Sequence, residues 1–274
     1  MAQEDEPRGL RVTVLGCGGS AGVPLIGGAD GAGDWGRCDP AEPRNRRTRS
    51  SIVLETATGE RLLVDTSPDL RGQLLACRVP GIDAILFTHA HADHITGLDD
   101  VRILNRIAGR PLPAYATGPV LTEITARFPY AFRPWKPPGF FRPVLETHAI
   151  EPDEVLDFHG LDIRTFAQDH GYGPSLGLRA GGFGYSTDVV RLDDAAFASL
   201  AGVEVWMVDC FGLTPHPTHA HLALVLDWAA RVGARRTVLT HMGTDIDWAA
   251  VGAMLPVGVE LGFDGMVLAT GRPG

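Results

Sequence analysis

The stretch "LFTHAHADHITG", residues 86–97, sets His89, His91, Asp93 and His94 within six positions, directly after an apolar run. If Asp93 served only as the N-cap of a following helix, one residue of the four would be explained. At this chain's histidine frequency, H-x-H-x-D-H arises by accident in about one such sequence in a thousand, so metal ligation is the stronger reading. Residues two apart in an extended turn point the same way. His89 and His91 are thus placed to grip one ion while Asp93 and His94 face another.

Four groups do not complete two coordination shells, so partners are required further along. "LTHMG" at 239–243 repeats the strand-then-Thr-His pattern of "FTHAH" and offers His241; "AQDHGYG" offers His170 and "GYSTDVV" offers Asp188. Singly each has a plain explanation, as a loop histidine, a cap or a core histidine. Jointly they share a place past the end of an expected strand, where loop-borne site residues gather.

Around these motifs the chain reads as alternating short apolar segments and helices. Strands are expected at 11–15, 51–55, 61–65, 83–87, 161–167, 176–179, 182–186, 203–209 and 236–240, bounded by Gly, Pro or Asp. Leu98, Val101, Leu104 and Ala108 share a helical face, as do Leu222, Val225, Ala229 and Val232, with Gly233 placed to end the second helix. The pattern predicts sheets covered by helices in one domain over residues 1–274, with 1–9 flexible and 128–148 a lid-like insertion. Within that insertion, Tyr130, Phe132, Trp135, Phe140 and Phe141 offer ring faces for stacking on a base, or simply pack the loop.

Composition narrows the function. A formal net charge of −9 works against capture of long polyanions, which favours a small substrate over bulk nucleic acid. No segment approaches the roughly 18 uninterrupted apolar residues of a membrane span, and Cys17, Cys38, Cys77 and Cys210 lack both C-x-x-C spacing and disulfide-scaffold density. A cytoplasmic location with reduced thiols is expected. "GCGGSA", residues 16–21, matches a dinucleotide fingerprint, but Pro24 stands where the phosphate-binding helix should begin, so a tight glycine loop beside the metals is expected instead. The basic run 44–51 offers Arg46, Arg47 or Arg49 to a substrate phosphate, or forms a solvated face.

In the order of H-x-H-x-D-H, later His, later Asp and final Thr-His, the chain resembles the metallo-β-lactamase superfamily over nearly its whole length. More narrowly it is similar to the cyclic phosphodiesterases of the carbon-phosphorus lyase (phosphonate utilisation) pathway, with which it shares "GVP" in the glycine loop, "DC" at 209–210 and "GFDGM" at 262–266. The resemblance implies an αββα sandwich of two mixed β-sheets flanked by helices, with a dinuclear site at one edge. It implies that His89, His91 and His170 hold one metal, Asp93, His94 and His241 the second, and that Asp188 bridges them. It also implies a hydrolase for small cyclic or nucleotide-like phosphodiesters in which a hydroxide shared by two divalent ions attacks phosphorus. Zinc or manganese suits such ligands, and iron is compatible.

Those phosphodiesterases carry a cysteine cluster after "GVP" and a histidine three residues past the last metal His, which together bind a structural zinc. Here the region reads "GGADGAGDWGRCDP", leaving only Cys38, and the later position is Thr244. No separate structural zinc is expected. His219, in "PTHAHLAL", is the expected proton donor to the leaving group and counts with Asp93 as catalytic; a solvated helix start is the plainer account of His219 and of His221, a weaker substrate contact. Asp65, ending "RLLVD", accepts from a ligand imidazole or caps the turn that follows. Three alternatives stay open: hydrolysis of an ester, thioester or lactone on the same metals, a metal-bearing binding protein with little turnover, and, disfavoured by net acidity, an RNA-processing nuclease. Exposed apolar faces leave a homodimer open.

Overall fold

Segments such as 62–64, 84–86 and 205–208 are apolar at consecutive positions rather than alternate ones, which requires sheets covered on both faces there. A computed structural model of the chain describes residues 9–271 and has that architecture. Of the residues expected to be flexible, 1–8 lie outside the described residues, and Gly9 packs on the backbone of Thr270 and Gly271.

Among the described residues there are two seven-stranded sheets. The first comprises β1 (Arg11–Gly16), β2 (Ser51–Glu55), β3 (Arg61–Val64), β4 (Ala84–Leu86), β5 (Leu112–Ala116), β6 (Leu145–Ala149) and, returning beside β1, β14 (Val267–Ala269). The second comprises β7 (Val155–Phe158), β8 (Leu161–Asp169), β9 (Pro174–Ala180), β10 (Phe183–Ser186), β11 (Val205–Asp209), β12 (Arg236–Thr240) and β13 (Val259–Leu261). Spatial orders are 14-1-2-3-4-5-6 and 13-12-11-10-9-8-7. Both sheets are mixed in the same way: β14-β1-β2-β3 and β7-β8-β9-β10 pair antiparallel, while β3-β4-β5-β6 and β10-β11-β12-β13 pair parallel.

The pleat divides the buried side chains between two layers. In β2, Ile52 and Leu54 join Leu62 and Val64 of β3 in the core between the sheets, whereas Val53 and Leu63 turn outward to a second core. That outer core is closed by α1 (Leu70–Ala76), α3 (Val101–Ala108) and α4 (Gly118–Arg127), through Leu70, Leu74, Val101, Leu104, Leu121 and Ile124. On the other sheet, α5 (Asp194–Leu200), α6 (Leu222–Val232) and α7 (Trp248–Gly252) bring Phe197, Leu200, Val225, Trp228 and Val251 onto the core. Each fully buried Leu, Ile or Val contributes about 1.5–3 kcal/mol of transfer free energy, so covering both faces favours this αββα sandwich strongly.

Several expectations are corrected. The helical face of Leu98 to Ala108 is not one helix: a short α2 (Ala92–Ile95) runs into a 3-10 turn, Thr96–Asp100, before α3 begins. Gly97 explains the break, because a Cβ there would stand 1.9 Å from the Ser67 carbonyl oxygen. The segment 128–148 is not a lid to its end, since 145–148 belong to edge strand β6. Its irregular part is tied down: Ala131, Phe140 and Val144 are buried, Leu145 N donates to Ala131 O, and Arg106 Nε donates to Phe140 O. Trp135 and Phe140 stack on each other at 4.7 Å, so each ring spends a face on the other. No helix follows β1, against the dinucleotide reading and as the glycine-loop reading requires.

Gly97→Ala is expected to cost at least about 1–3 kcal/mol, the usual range for overpacking, because the Ser67 backbone must move. A lowered denaturation midpoint in urea would show it. Wild-type stability would mean that the close approach is relaxed in solution.

Candidate metal centre

Strands β3, β4, β8, β10, β11 and β12 all run toward the same edge of the sandwich, which collects the residues that follow them. Such carboxyl-end edges are where open α/β sheets place ligands. The turn after β4 carries His89 and His91, and α2 carries Asp93 and His94; His170 follows β8, Asp188 follows β10, and His241 follows β12. Asp65, Asp188 and His241 have φ of 65°, 52° and 53°, left-handed backbone that costs a non-glycine residue on the order of 1–3 kcal/mol. Such strain persists where the surrounding structure over-determines it.

All seven expected ligands come together. One atom from each of His89, His91, His170 and Asp188 lies within 4.8 Å of the others, and the same holds for Asp93, His94, Asp188 and His241. Asp188 belongs to both groups. Its Oδ1 is 3.8 Å from His89 Nε2 and 3.6 Å from His170 Nε2; its Oδ2 is 3.1 Å from His94 Nε2 and 3.0 Å from His241 Nδ1. Asp93 Oδ2 is 3.3 Å from His94 Nε2.

Proton bookkeeping around the rings shows which nitrogens are free. The Thr88 hydroxyl donates to Asp65 Oδ2 at 2.8 Å, so toward His89 Nδ1, 3.0 Å away, it acts as acceptor. His89 therefore carries its proton on Nδ1 and keeps a lone pair at Nε2. His94 Nδ1 donates to Asp65 Oδ2 at 2.7 Å, and His170 Nδ1 donates to the Thr218 carbonyl at 2.8 Å, with the same consequence. His170 Nε2 then faces His91 Nδ1 at 3.2 Å. The Nε2 atoms of His89, His94 and His241 are buried without a hydrogen-bond partner. Imidazole nitrogens and carboxylates brought this close together inside the protein need a positive charge among them, which fits a cation.

The electrostatics agree. Burial and the neighbouring His94 hold the His89 pKa well below the usual histidine value. Burial opposes protonation of His94 and His241, yet Asp188 and nearby carboxylates outweigh it, raising His94 well above its usual value and His241 to about 9. Asp188 is driven down by His241, His94 and His89 despite its burial. Without a metal, protons on His94 and His241 do the work of a positive charge.

Asp65 thus bonds the His94 ring and also accepts from Thr88 N at 2.8 Å. His219 is buried beside the cluster, its ring 4.7 Å from His241 and 4.8 Å from His170. Its Nδ1 is 2.8 Å from Asp209 Oδ2, which also accepts from Val189 N at 3.0 Å. His221 takes the N-cap position of α6, with no cap hydrogen bond and, among the described residues, no ring contact with the cluster. Asp209 is the residue that motif reasoning missed as a site residue. The available signal was its place: it ends "VWMVD" as Asp65 ends "RLLVD". The glycine loop lies against the site, since a Cβ on Gly19 would stand 3.4 Å from the His241 ring.

Comparison with known proteins follows the same lines. A model described as a beta-lactamase superfamily domain matches residues 60–242. Over 261 residues, 94% of this chain, the sequence is 31% identical to a Porphyromonas gingivalis protein named octanoyltransferase; the match covers 51% of that protein, so the chain spans about half its length. It is 26% identical to coenzyme PQQ synthesis protein B of Cupriavidus taiwanensis, over 81% of this chain and 88% of that protein. Among solved structures, a diphosphatase from the PhnP family superposes with a TM-score of 0.83 at 34% identity, covering 94% of this chain and 96% of that one. No described helix is long and apolar enough to cross a membrane.

Proposed function

The chain belongs to the PhnP family of the beta-lactamase superfamily, and on that premise we propose that it is a metal-dependent phosphodiesterase for small cyclic or nucleotide-like esters. The observation that carries this reading is Asp188, shared by two groups of potential ligand atoms, beside which the buried Nε2 atoms of His89, His94 and His241 have no hydrogen-bond partner. His89, His91 and His170 would hold one divalent ion, Asp93, His94 and His241 a second, with Asp188 between them. Two such ions supply Lewis acidity, lowering the pKa of water and neutralising charge that grows on phosphoryl oxygens. Phosphorus chemistry is also what the name of the PhnP-family diphosphatase states.

The chain's own groups do the rest. Asp65, Thr88 and the Thr218 carbonyl fix the ring orientations that aim nitrogen lone pairs inward. Asp209 holds His219 through Nδ1, with the ring 4.7 Å from that of His241 and 4.8 Å from that of His170, where it would pass a proton to a departing alkoxide. Imidazole and carboxylate donors suit zinc, manganese or iron. No separate structural zinc is part of this reading. The Cys38 thiol meets the buried Arg47 guanidinium at 3.9 Å and the Thr244 and Ile246 carbonyls at 3.4 Å, so a positive charge already stands there.

Metal affinity should climb with pH. The metal displaces a proton from His241, whose pKa is about 9 in the metal-free site, so protons compete below that value and fade as competitors toward it. Chelator competition at pH 6, 7, 8 and 9 reads this directly, and an affinity flat with pH would contradict it. The function itself is tested by comparing turnover of bis(p-nitrophenyl) phosphate, adenosine 2′,3′-cyclic monophosphate and a lactone by metal-loaded protein. Phosphodiester turnover is expected. Turnover of the lactone alone would replace this reading with acyl-ester hydrolysis, and binding without turnover would favour a binding protein.

A further inference from the structure

The arginines around the site have separate fates. Arg47 is consumed by the Gly243 and Ile246 carbonyls, Arg46 lies over the Trp35 ring, and Arg49 pairs with Asp69. Arg127 instead reaches the ligand turn itself. It is the last residue of α4, whose Leu121 and Ile124 share the outer core with Ala90, the residue between His89 and His91. From that helix end Arg127 Nη1 donates to the Ala90 carbonyl oxygen, while Nη2 is held by Glu123 one helical turn earlier. An exposed Glu-Arg pair contributes little by itself. The third partner is what gives this one a function.

The Ala90 carbonyl and the His91 N–H belong to one planar peptide unit, so a bond that holds the oxygen restrains the plane from which the His91 side chain departs. His91 depends on this more than its fellow ligands do. The outer nitrogens of His89, His94 and His170 are bonded to the Thr88 hydroxyl, Asp65 and the Thr218 carbonyl, and all three residues are buried. His91 is exposed. Its Nδ1 is the atom that faces His170 Nε2, and among the described residues its outer nitrogen, Nε2, has no hydrogen-bond partner. With no side chain behind the ring, its aim is set by the backbone. A guanidinium on a carbonyl makes a charge-assisted bond, stronger than a neutral one, at that backbone position.

We propose that Arg127 is a positioning residue for the first metal: by holding the Ala90 carbonyl it aims His91 Nδ1 at the group formed with His89, His170 and Asp188, and its loss weakens that ion while leaving the second in place. Arg127 itself belongs to neither ligand group. The inference rests on the two-ion centre and not on phosphodiester chemistry.

The experiment is cobalt(II) titration of the metal-free protein, with affinities from chelator competition and the bound ions followed by visible absorption. The wild type is expected to bind two ions. Arg127→Met should weaken one of them about 10–100-fold, the range for groups that orient a metal ligand, and alter its absorption, with the urea midpoint of the metal-free protein unchanged. Arg127→Lys, which keeps a charged donor, should recover part of the loss. A double-mutant cycle identifies the ion: in a His91→Ala background Arg127→Met should cost nothing further, whereas in a His241→Ala background the two losses should add. Wild-type affinity in Arg127→Met, or losses that add in the His91→Ala background, overturns the proposal. If Arg127→Met does not fold, Arg127→Ala is judged by the same two criteria. A wild type that binds no cobalt defeats this proposal together with the two-ion centre; one that binds two ions and hydrolyses no phosphodiester defeats only the choice of substrate.

Discussion

Replacing His94 by alanine is expected to lower bound metal from about two ions per chain to about one or fewer, and to cut phosphodiester turnover by at least about a thousandfold, on the order of 4 kcal/mol in the barrier. His94 is fully buried and faces three carboxylates, Asp65, Asp93 and Asp188. Alanine removes a donor atom, and it also leaves Asp65 without its 2.7 Å partner inside the protein. Breaking such a buried pair costs about 3–5 kcal/mol, so the metal-free variant should also be less stable. A milder change separates the two effects. Asp65→Asn keeps every ligand and loosens only the ring orientation, for which metal affinity about 10–100-fold weaker is expected. Elemental analysis and turnover measured on both variants check this; full activity in His94→Ala would remove the second ion from the mechanism.

The next largest effect concerns the proton. His219→Ala should lower kcat about 10²–10⁴-fold on a cyclic nucleotide, whose alkoxide leaves poorly unless protonated, and far less on bis(p-nitrophenyl) phosphate, whose phenolate leaves unaided. Metal content should hold, because His219 touches the ligand rings without joining either ligand group. Asp209→Asn should move the same way by a smaller factor, since the amide keeps a partner for the ring but a weaker hydrogen bond than the carboxylate makes. Equal losses on both substrates would show that His219 positions substrate or shapes the site rather than donating a proton.

How far the sequence foretold the molecule depends on the kind of signal. Residues 86–97 carry a spacing with one economical chemical meaning, and the strand-end positions of His170, Asp188 and His241 made their convergence an expectation that the geometry meets. Strands with compact apolar runs, such as "SIVLE" and "RTVLT", were legible for the same reason: burial on both faces leaves an unbroken signature. β5, "LPAYA", and β6, "LETHA", were not, the first because Pro113 argues against a strand and the second because an edge strand with four exposed residues has no apolar period to display. Gly97 hid the break in the helix, since nothing local marks a backbone that must pass close to Ser67. Asp209 and Thr88 act through other side chains, and such roles depend on a neighbour brought from elsewhere in the chain. Arg47 and Arg49 look alike in the basic run and part only through what the fold places beside them.

The proposed function requires two ions sharing Asp188. Anomalous diffraction from crystals of metal-loaded protein tests that most directly. The expected result is two peaks about 3.5–4 Å apart, one beside His89, His91 and His170 and one beside Asp93, His94 and His241, with Asp188 reaching both. A single peak, or density away from Asp188, would contradict it.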